Sequence, residues 1–325
     1  MIELRLDSRA ANVREAGSDW STWIENLEAT LFDLGAVSVE LCDGADQPLL
    51  EPPPGTHPLW DAIVIKAHFT NELPAELAAA ALAESNPQAP APTLRAIESR
   101  DWIREGLAGL GAMNFGHGLW IVPSWAQADA QEPATIVHLD PGLAFGTGTH
   151  PTTALCLQSL AASPPHGQRV LDYGCGSGIL AIAAAKLGAT TVDAFDIDPQ
   201  AVTATISNAR HNGLEVTEVD TPPNSDISTG FRVGIVSAEA PASLVEDGYD
   251  LVVANILARP LIHLAPNLSH ALRPGGRILL TGLLVNQANE VMNAYPKIEW
   301  HPAPDRLTLD GWILLEGQRK LKTRD

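Results

Sequence analysis

Three glycines alternate with other residues at positions 174, 176 and 178. Asp172 stands two places before the first of them, and Asp196 follows Gly174 by 22 residues. Glycine reaches positive φ angles and carries no Cβ, so such a segment folds tightly and lets a ligand approach the backbone. Two kinds of ligand compete for a turn of this sort. A dinucleotide calls for G-x-G-x-x-G/A, with a helix N-terminus facing its pyrophosphate. Here the position that needs the third small residue is Ile179, and Asp172 would repel a diphosphate while attracting an ammonium or sulfonium. Asp196 falls where an acidic residue accepts hydrogen bonds from the ribose of an adenosine. A cationic adenosine compound without phosphates satisfies all three observations, and S-adenosylmethionine (SAM) is the common one. The expected contacts are Asp172, Gly174, Gly176 and Asp196. The competing reading is a plain strand–helix turn with two surface aspartates.

The flanking pattern places these residues on an α/β framework. Val170 to Asp172 reads as a short buried strand and Ile179 to Leu187 as an amphipathic helix, which puts the glycine turn at a strand's carboxyl end, where ligands bind. A steady alternation follows: strand 191–196, helix 199–211, strand 215–219, strand 250–254 and helix 258–272. The turn at 273–276 then leads to strand 277–281, a helix near 287–295, and strand 312–317 to close the sheet. Repeated βα units predict a mostly parallel sheet with helices on both faces. Asn255 ends the fourth of these strands and faces the same crevice as Gly174 and Asp196. The segment 221–246, rich in Pro, Ser and Gly, reads as a surface insertion, although Phe231 to Ser237 has the makings of an extra strand or hairpin.

Ahead of the turn, Asp140 to Thr153 holds four glycines and prolines in its first nine residues, the composition of a loop that closes over a bound ligand. Phe145 belongs to this lid. Pro151 suits the first position of the next helix, with His150 near the cap and the hydroxyls of Thr152 and Thr153 at its N-terminus. His150 is a tempting general base, but an imidazole beside Pro151 serves equally to cap or pack the helix start. Asp198, before Pro199, reads as a helix cap.

The first hundred residues are organised differently. Strands at 1–6, 36–42, 61–69 and 93–98, with helices at 20–34 and 74–85, give the order β-α-β-β-α-β of a ferredoxin-like domain. The expected division is 1–98 for that domain, 99–115 for a linker helix starting at Ser99, and 116–325 for the ligand-binding domain. Composition sets outer limits. There are 39 acidic against 20 basic residues, a net charge of −19, which disfavours direct nucleic-acid binding and favours encounter with a basic macromolecule. Three cysteines without metal or redox spacing point to a reducing compartment, and the first residues lack the features of a signal peptide. The chain reads as cytoplasmic and unattached to membranes.

Taken together, Asp140 to Thr153, the turn Asp172 to Gly178, Asp196-Ile197-Asp198-Pro199 and Asn255-Ile256-Leu257 resemble the PrmA-type methyltransferases. Those enzymes modify L-eleven, the eleventh protein of the large ribosomal subunit. The run Phe145 to Thr153 is the most specific part of the likeness. The resemblance implies a class I, Rossmann-like methyltransferase fold behind a ferredoxin-like domain that holds the ribosomal protein. It implies SAM contacts at Thr153, Gly174, Asp196 and Asn255, and repeated methylation of lysine ε-amines and of the N-terminal α-amine. It brings no metal. Within that reading Asn255 is the candidate catalytic residue, orienting the amine. The insertion at 221–246 exceeds the family's usual link, so the adenine-side contacts near Asp220 depend on how it folds. Alternatives are a SAM-dependent enzyme for another protein or a small molecule, and a weakly active SAM-binding module of ribosome assembly. A NAD-dependent oxidoreductase fits poorly because of Asp172 and Ile179.

Overall fold

Alternation of apolar and polar side chains along Ile2-Glu3-Leu4-Arg5-Leu6 buries Leu4 and Leu6 on one face of a strand and leaves Arg5 exposed on the other. That strand, β1 (Ile2–Asp7), is the first element of a computed structural model. It describes residues 1–7, 20–45, 47, 59–85, 92–97, 111–129, 133–140, 148–219, 229–236, 244–301 and 307–321. Residues 99–110 of the expected linker, the expected lid residues 141–147 with Phe145, and Asp220 lie outside the described residues, and at the linker's far end Met113–Asn114 is a strand, not helix.

Two compact units divide the chain, Met1–Glu105 and Gly106–Asp325. In the first, β1 is followed by α1 (Trp20–Asp33), β2 (Ser38–Asp43), β3 (Ile63–Phe69), α2 (Glu72–Ser85) and β4 (Thr93–Ala96). The four strands form an antiparallel sheet in the order β2-β3-β1-β4. Ile24, Leu27 and Leu31 of α1 recur at helical spacing, as do Ala75, Ala78 and Leu82 of α2. Both sets bury against Leu4, Ile65 and Ala67 of the sheet.

The second unit begins with a small sheet of β5 (Met113–Asn114), β6 (Leu119–Val122) and β7 (Thr135–His138). Its main body then runs α3 (Pro151–Ala162), β8 (Arg169–Tyr173), α4 (Ile179–Lys186), β9 (Thr191–Asp196), α5 (Pro199–His211), β10 (Val216–Val219) and β11 (Gly230–Ile235). It continues with β12 (Tyr249–Asn255), α6 (Ala258–Ala271), β13 (Leu272–Leu284), α7 (Ala288–Ala294), β14 (Ile298–Trp300), β15 (Thr308–Leu309) and β16 (Trp312–Arg319). The sheet order is β10-β11-β9-β8-β12-β13-β16-β14, with β15 on β16. Pairing is parallel from β10 to β13, and β16 is antiparallel to its neighbours. Alternate residues of each strand face opposite ways. Val170, Val192, Val253 and Leu279 join the core under α3, α4 and α5, whereas Leu171, Phe195, Val252 and Leu280 join the core under α6 and α7. The order reverses between β8 and β12, which is where an open α/β sheet opens a crevice.

Two expectations need correction. At 221–246 the surface reading gives way to the extra strand that Phe231 to Ser237 suggested: Gly230–Ile235 runs parallel directly beside β9, with Val216–Val219 at the sheet edge. Its centre is buried, with Arg232 neutralising Asp193 of β9 inside the sheet. The strand at 312–319 does not close the sheet, since Ile298–Trp300 pairs along its outer side. The expected turn at 273–276 is present as an irregularity of β13: pairing with β12 jumps from Leu272 to Arg277, with Gly275 at φ 77° between them. Among the described residues no helix is long and apolar enough to cross a membrane.

Candidate functional site

At the carboxyl end of β8 the chain must reverse into α4, and it does so through three left-handed glycines, Gly174 (φ 82°), Gly176 (φ 55°) and Gly178 (φ 80°). Other residues pay a steric penalty in that region. The close approach is as demanding as the dihedrals: a Cβ on Gly174 would run into the side chain of Ile256, and one on Gly178 into Thr205. The N–H groups of Gly174 and Cys175 both donate to the Phe195 carbonyl, at 2.7 and 3.1 Å. From outside, α5 braces the turn. Thr205 donates its hydroxyl to the Gly176 carbonyl (3.0 Å) and Asn208 donates to the Ser177 carbonyl (2.8 Å).

Asp196 ends β9 beside this turn. Its Oδ2 accepts the Gly176 N–H (2.9 Å) and its Oδ1 accepts the Asp198 N–H (3.0 Å). Asp198 in turn caps α5 by accepting from Gln200 N–H (2.8 Å), the role its position suggests. One strand over on the other side of β8, Asn255 ends β12, and its Nδ2 donates to Thr153 Oγ1 (3.3 Å). Together these ends line one cavity of about 860 Å³, into which Gly174, Gly176, Asp196 and Asn255 all open.

Two residues expected in direct contact stand behind the wall instead. Thr153 is fully buried and meets the cavity through Asn255, which it positions. Asp172 is also fully buried, because alternation along β8 turns it toward α4, where its Oδ2 accepts the Ala181 N–H (3.0 Å). Among the described residues its Oδ1 has no partner. Burial pushes its carboxyl up to about 7, the Ala181 hydrogen bond opposing and the charge of Asp196 adding to the rise. A carboxyl raised in the folded state binds its proton more tightly there than in the unfolded chain. Its contribution to stability is therefore fully present below about pH 4 and is lost as pH rises toward 7. We expect wild type to lose about 2–3 kcal/mol from this group between pH 5 and 8. Asp172→Asn, which cannot ionise, should flatten that dependence, as urea midpoints at the two pH values would record.

His150 caps α3: its Nδ1 accepts the Thr152 N–H (3.3 Å) and lies 2.7 Å from Thr152 Oγ1. Its ring meets Trp312 edge-on at 4.9 Å between centroids. Burial lowers its pKa, so the ring is neutral at pH 7. Capping and packing thus account for its placement without base catalysis.

Several lining residues carry no sequence signal. Val236 follows β11, in the segment read as an insertion, and Trp312 opens an antiparallel strand outside every βα unit. Arg259 and His263 lie one turn apart on α6, exposed at the rim. Only the sheet order brings them to the cavity. Phe145 lies outside the described residues.

Comparison with known proteins sets this geometry in a family. A model of the family described as Ribosomal protein L11 methyltransferase (PrmA) matches residues 20–320. The Ribosomal protein L11 methyltransferase of Marinobacter nauticus is 43% identical over 302 residues, covering 91% of this chain and 94% of its own. That of Azotobacter vinelandii is 44% identical over 297 residues, covering 90% and 94%. Among solved structures, the ribosomal protein L11 methylase of Lactobacillus delbrueckii subsp. bulgaricus shares 33% identity at a TM-score of 0.51. It is covered along 100% of its chain by 65% of this one.

Proposed function

The chain belongs to the ribosomal protein L11 methyltransferase (PrmA) family, and on that premise we propose that it transfers methyl groups from SAM to amines of ribosomal protein L11. The observation that carries the reading is the cavity at the switch point, where a glycine-rich turn, a carboxylate and a side-chain amide converge on a space of about 860 Å³.

The lining suits the donor. Gly174 and Gly176 line the cavity without side chains of their own, and Asp196 is the only carboxylate among the described residues of the wall, which suits ribose hydroxyls. Ile197 and Val236 offer apolar surface beside it for a flat base. In this reading the turn, Asp196 and Asn255 hold SAM, with Thr153 fixing Asn255 and Asp172 fixing the start of α4.

SAM supplies a methyl group on a positively charged sulfur, and the sulfur leaves as a neutral thioether. The amine lone pair forms the N–C bond as the C–S bond breaks, and the ammonium proton passes to water. The protein's task is alignment of the two partners. An acceptor lysine with pKa ~10.4 is neutral in roughly one molecule per 10³ at pH 7, and a less polar pocket raises that fraction. With its Nδ2 engaged by Thr153, Asn255 can present Oδ1 to the amine N–H. Asn255→Ala should lower kcat with L11 by about 10–100-fold, the loss of one orienting hydrogen bond in the transition state. Normal turnover and SAM affinity in that variant would remove the role.

The acceptors of this reading are lysine ε-amines and the N-terminal α-amine, methylated repeatedly, with the N-terminal unit holding the substrate. The test is the intact mass of purified ribosomal protein L11 after incubation with the enzyme and SAM. Successive methyl increments that need SAM are the expected result. Their absence, with SAM binding confirmed by calorimetry, would move the search to another substrate.

A further inference from the structure

The cavity extends well past the part that a cofactor on the glycine turn would fill. It runs along the carboxyl ends of five adjacent strands, β11, β9, β8, β12 and β13, from Val236 after β11, and reaches Trp312 at the amino end of antiparallel β16. Asp196 and Trp312 are four strand steps apart, about 19 Å at the usual interstrand spacing. The β11–β9–β8 side carries the carboxylate and the open backbone. The β13–β16 side has a different character: Gly282, Trp312 and His150, with Leu257 and Asn255 at its border. Trp312 is drawn to this end by pairing with Leu284, and it is held there against the ring of His150. Gly282 lines the cavity there and packs directly on the Ile256 backbone, which any Cβ at that position would strike.

We propose that Trp312 forms the acceptor subsite of this cavity, its indole packing against the aliphatic stem and amino group of the lysine to be methylated. The inference rests on the proposed methyl transfer and adds where the acceptor lies and what receives it. A repeatedly methylated amine alternates between a neutral nucleophile and a cation that gains bulk at each round. A carboxylate partner would hold it as a salt-bridged ammonium and keep the lone pair occupied. No carboxylate among the described lining residues stands at this end, Asp196 being on the far side. An aromatic face attracts a cation through its quadrupole and equally accepts the uncharged form, and it makes no donor or acceptor demand as N–H groups are replaced by methyls. The neutral His150 edge supports the indole without adding a charge to repel the amine.

The test reads the indole directly. Eight tryptophans give eight indole N–H resonances in a ¹⁵N-labelled sample, and the one missing from Trp312→Phe assigns Trp312. Titration with n-butyltrimethylammonium, in the presence of saturating S-adenosylhomocysteine, should shift that resonance saturably. In parallel, Trp312→Ala should lower kcat/KM for ribosomal protein L11 by about tenfold or more while the Kd for SAM stays within about twofold of wild type. Trp312→Phe, which keeps an aromatic face and the sheet pairing, should retain most of the activity. A stationary Trp312 resonance would overturn the proposal, as would full activity of the alanine variant or an equal loss of SAM affinity in it. If wild type leaves L11 unmodified but the resonance still moves, the substrate reading fails and the amine subsite stands.

Discussion

Replacing Arg232 with alanine is expected to destabilise the second unit by about 3–5 kcal/mol, the usual result of stripping one partner from a buried ion pair. The guanidinium donates from Nε to Asp193 Oδ1 and from Nη2 to Asp193 Oδ2, both at 2.6 Å, and Tyr249 donates its hydroxyl to the same Oδ2 at 2.5 Å. Asp193 is fully buried and the Arg232 side chain is 6% exposed, so neither charge has water to fall back on. The alanine variant leaves a carboxylate inside the sheet with one phenol for company. The three residues sit on β11, β9 and β12, so the loss would loosen strands that carry Val236, Asp196 and Asn255 to the cavity. The comparison that isolates the charge is the triple variant Arg232→Met with Asp193→Leu and Tyr249→Phe, which leaves no phenol without its acceptor. Buried pairs replaced by apolar residues of similar volume often cost little, so it should recover most of the urea midpoint that Arg232→Ala loses. If Arg232→Ala unfolds within about 1 kcal/mol of wild type, the pair does not hold β11 in place.

The same residue explains what the sequence could and could not disclose. The glycine turn, β8, β9 and their helices were legible because local requirements coincide there. Left-handed positions demand Gly174, Gly176 and Gly178, buried strands demand Val170 and Leu171, and Asp198-Pro199 is a helix start on its face. β11 was legible as an extra strand at Phe231 to Ser237, but its place inside the sheet was not, because its burial depends on a partner 39 positions earlier in the chain. Read locally, Arg232 argues for a surface. Asp172 was found by spacing yet assigned to the ligand, since spacing along a strand does not say which face meets the crevice. Alternation with Leu171 and Tyr173, both in the core under α6 and α7, puts Asp172 toward α4 instead. Trp312 had no motif at all. It reaches the cavity because β16 runs antiparallel, which brings the beginning of that strand to the carboxyl ends of its parallel neighbours. Trp312 and Val236 therefore depended on long-range pairing, whereas Gly174, Gly176 and Asp196 announced themselves by type and distance.

Asp196→Ala is expected to weaken SAM binding by about 2–3 kcal/mol, roughly 30–150-fold in Kd, with little loss of overall stability. Two effects combine. The carboxylate is the charged acceptor beside the glycine turn, and hydrogen bonds to a charged group are worth more than neutral ones. It also anchors the turn itself, because Oδ2 holds the Gly176 N–H and Oδ1 holds the Asp198 N–H that leads into α5. Asp198→Ala is the control for the helix start, since it keeps the backbone N–H that Asp196 accepts. It removes the α5 cap at a cost of about 1 kcal/mol of stability, yet leaves the Asp196 carboxylate in place, so its SAM affinity should stay near wild type. Removing Asp196 also withdraws a negative charge that helps hold the Asp172 carboxyl high, so the pH dependence assigned to Asp172 should shift to lower pH in the same variant. Calorimetry with SAM decides the first point. Unchanged affinity in Asp196→Ala would take Asp196 away from the ribose and leave it only the task of shaping the turn.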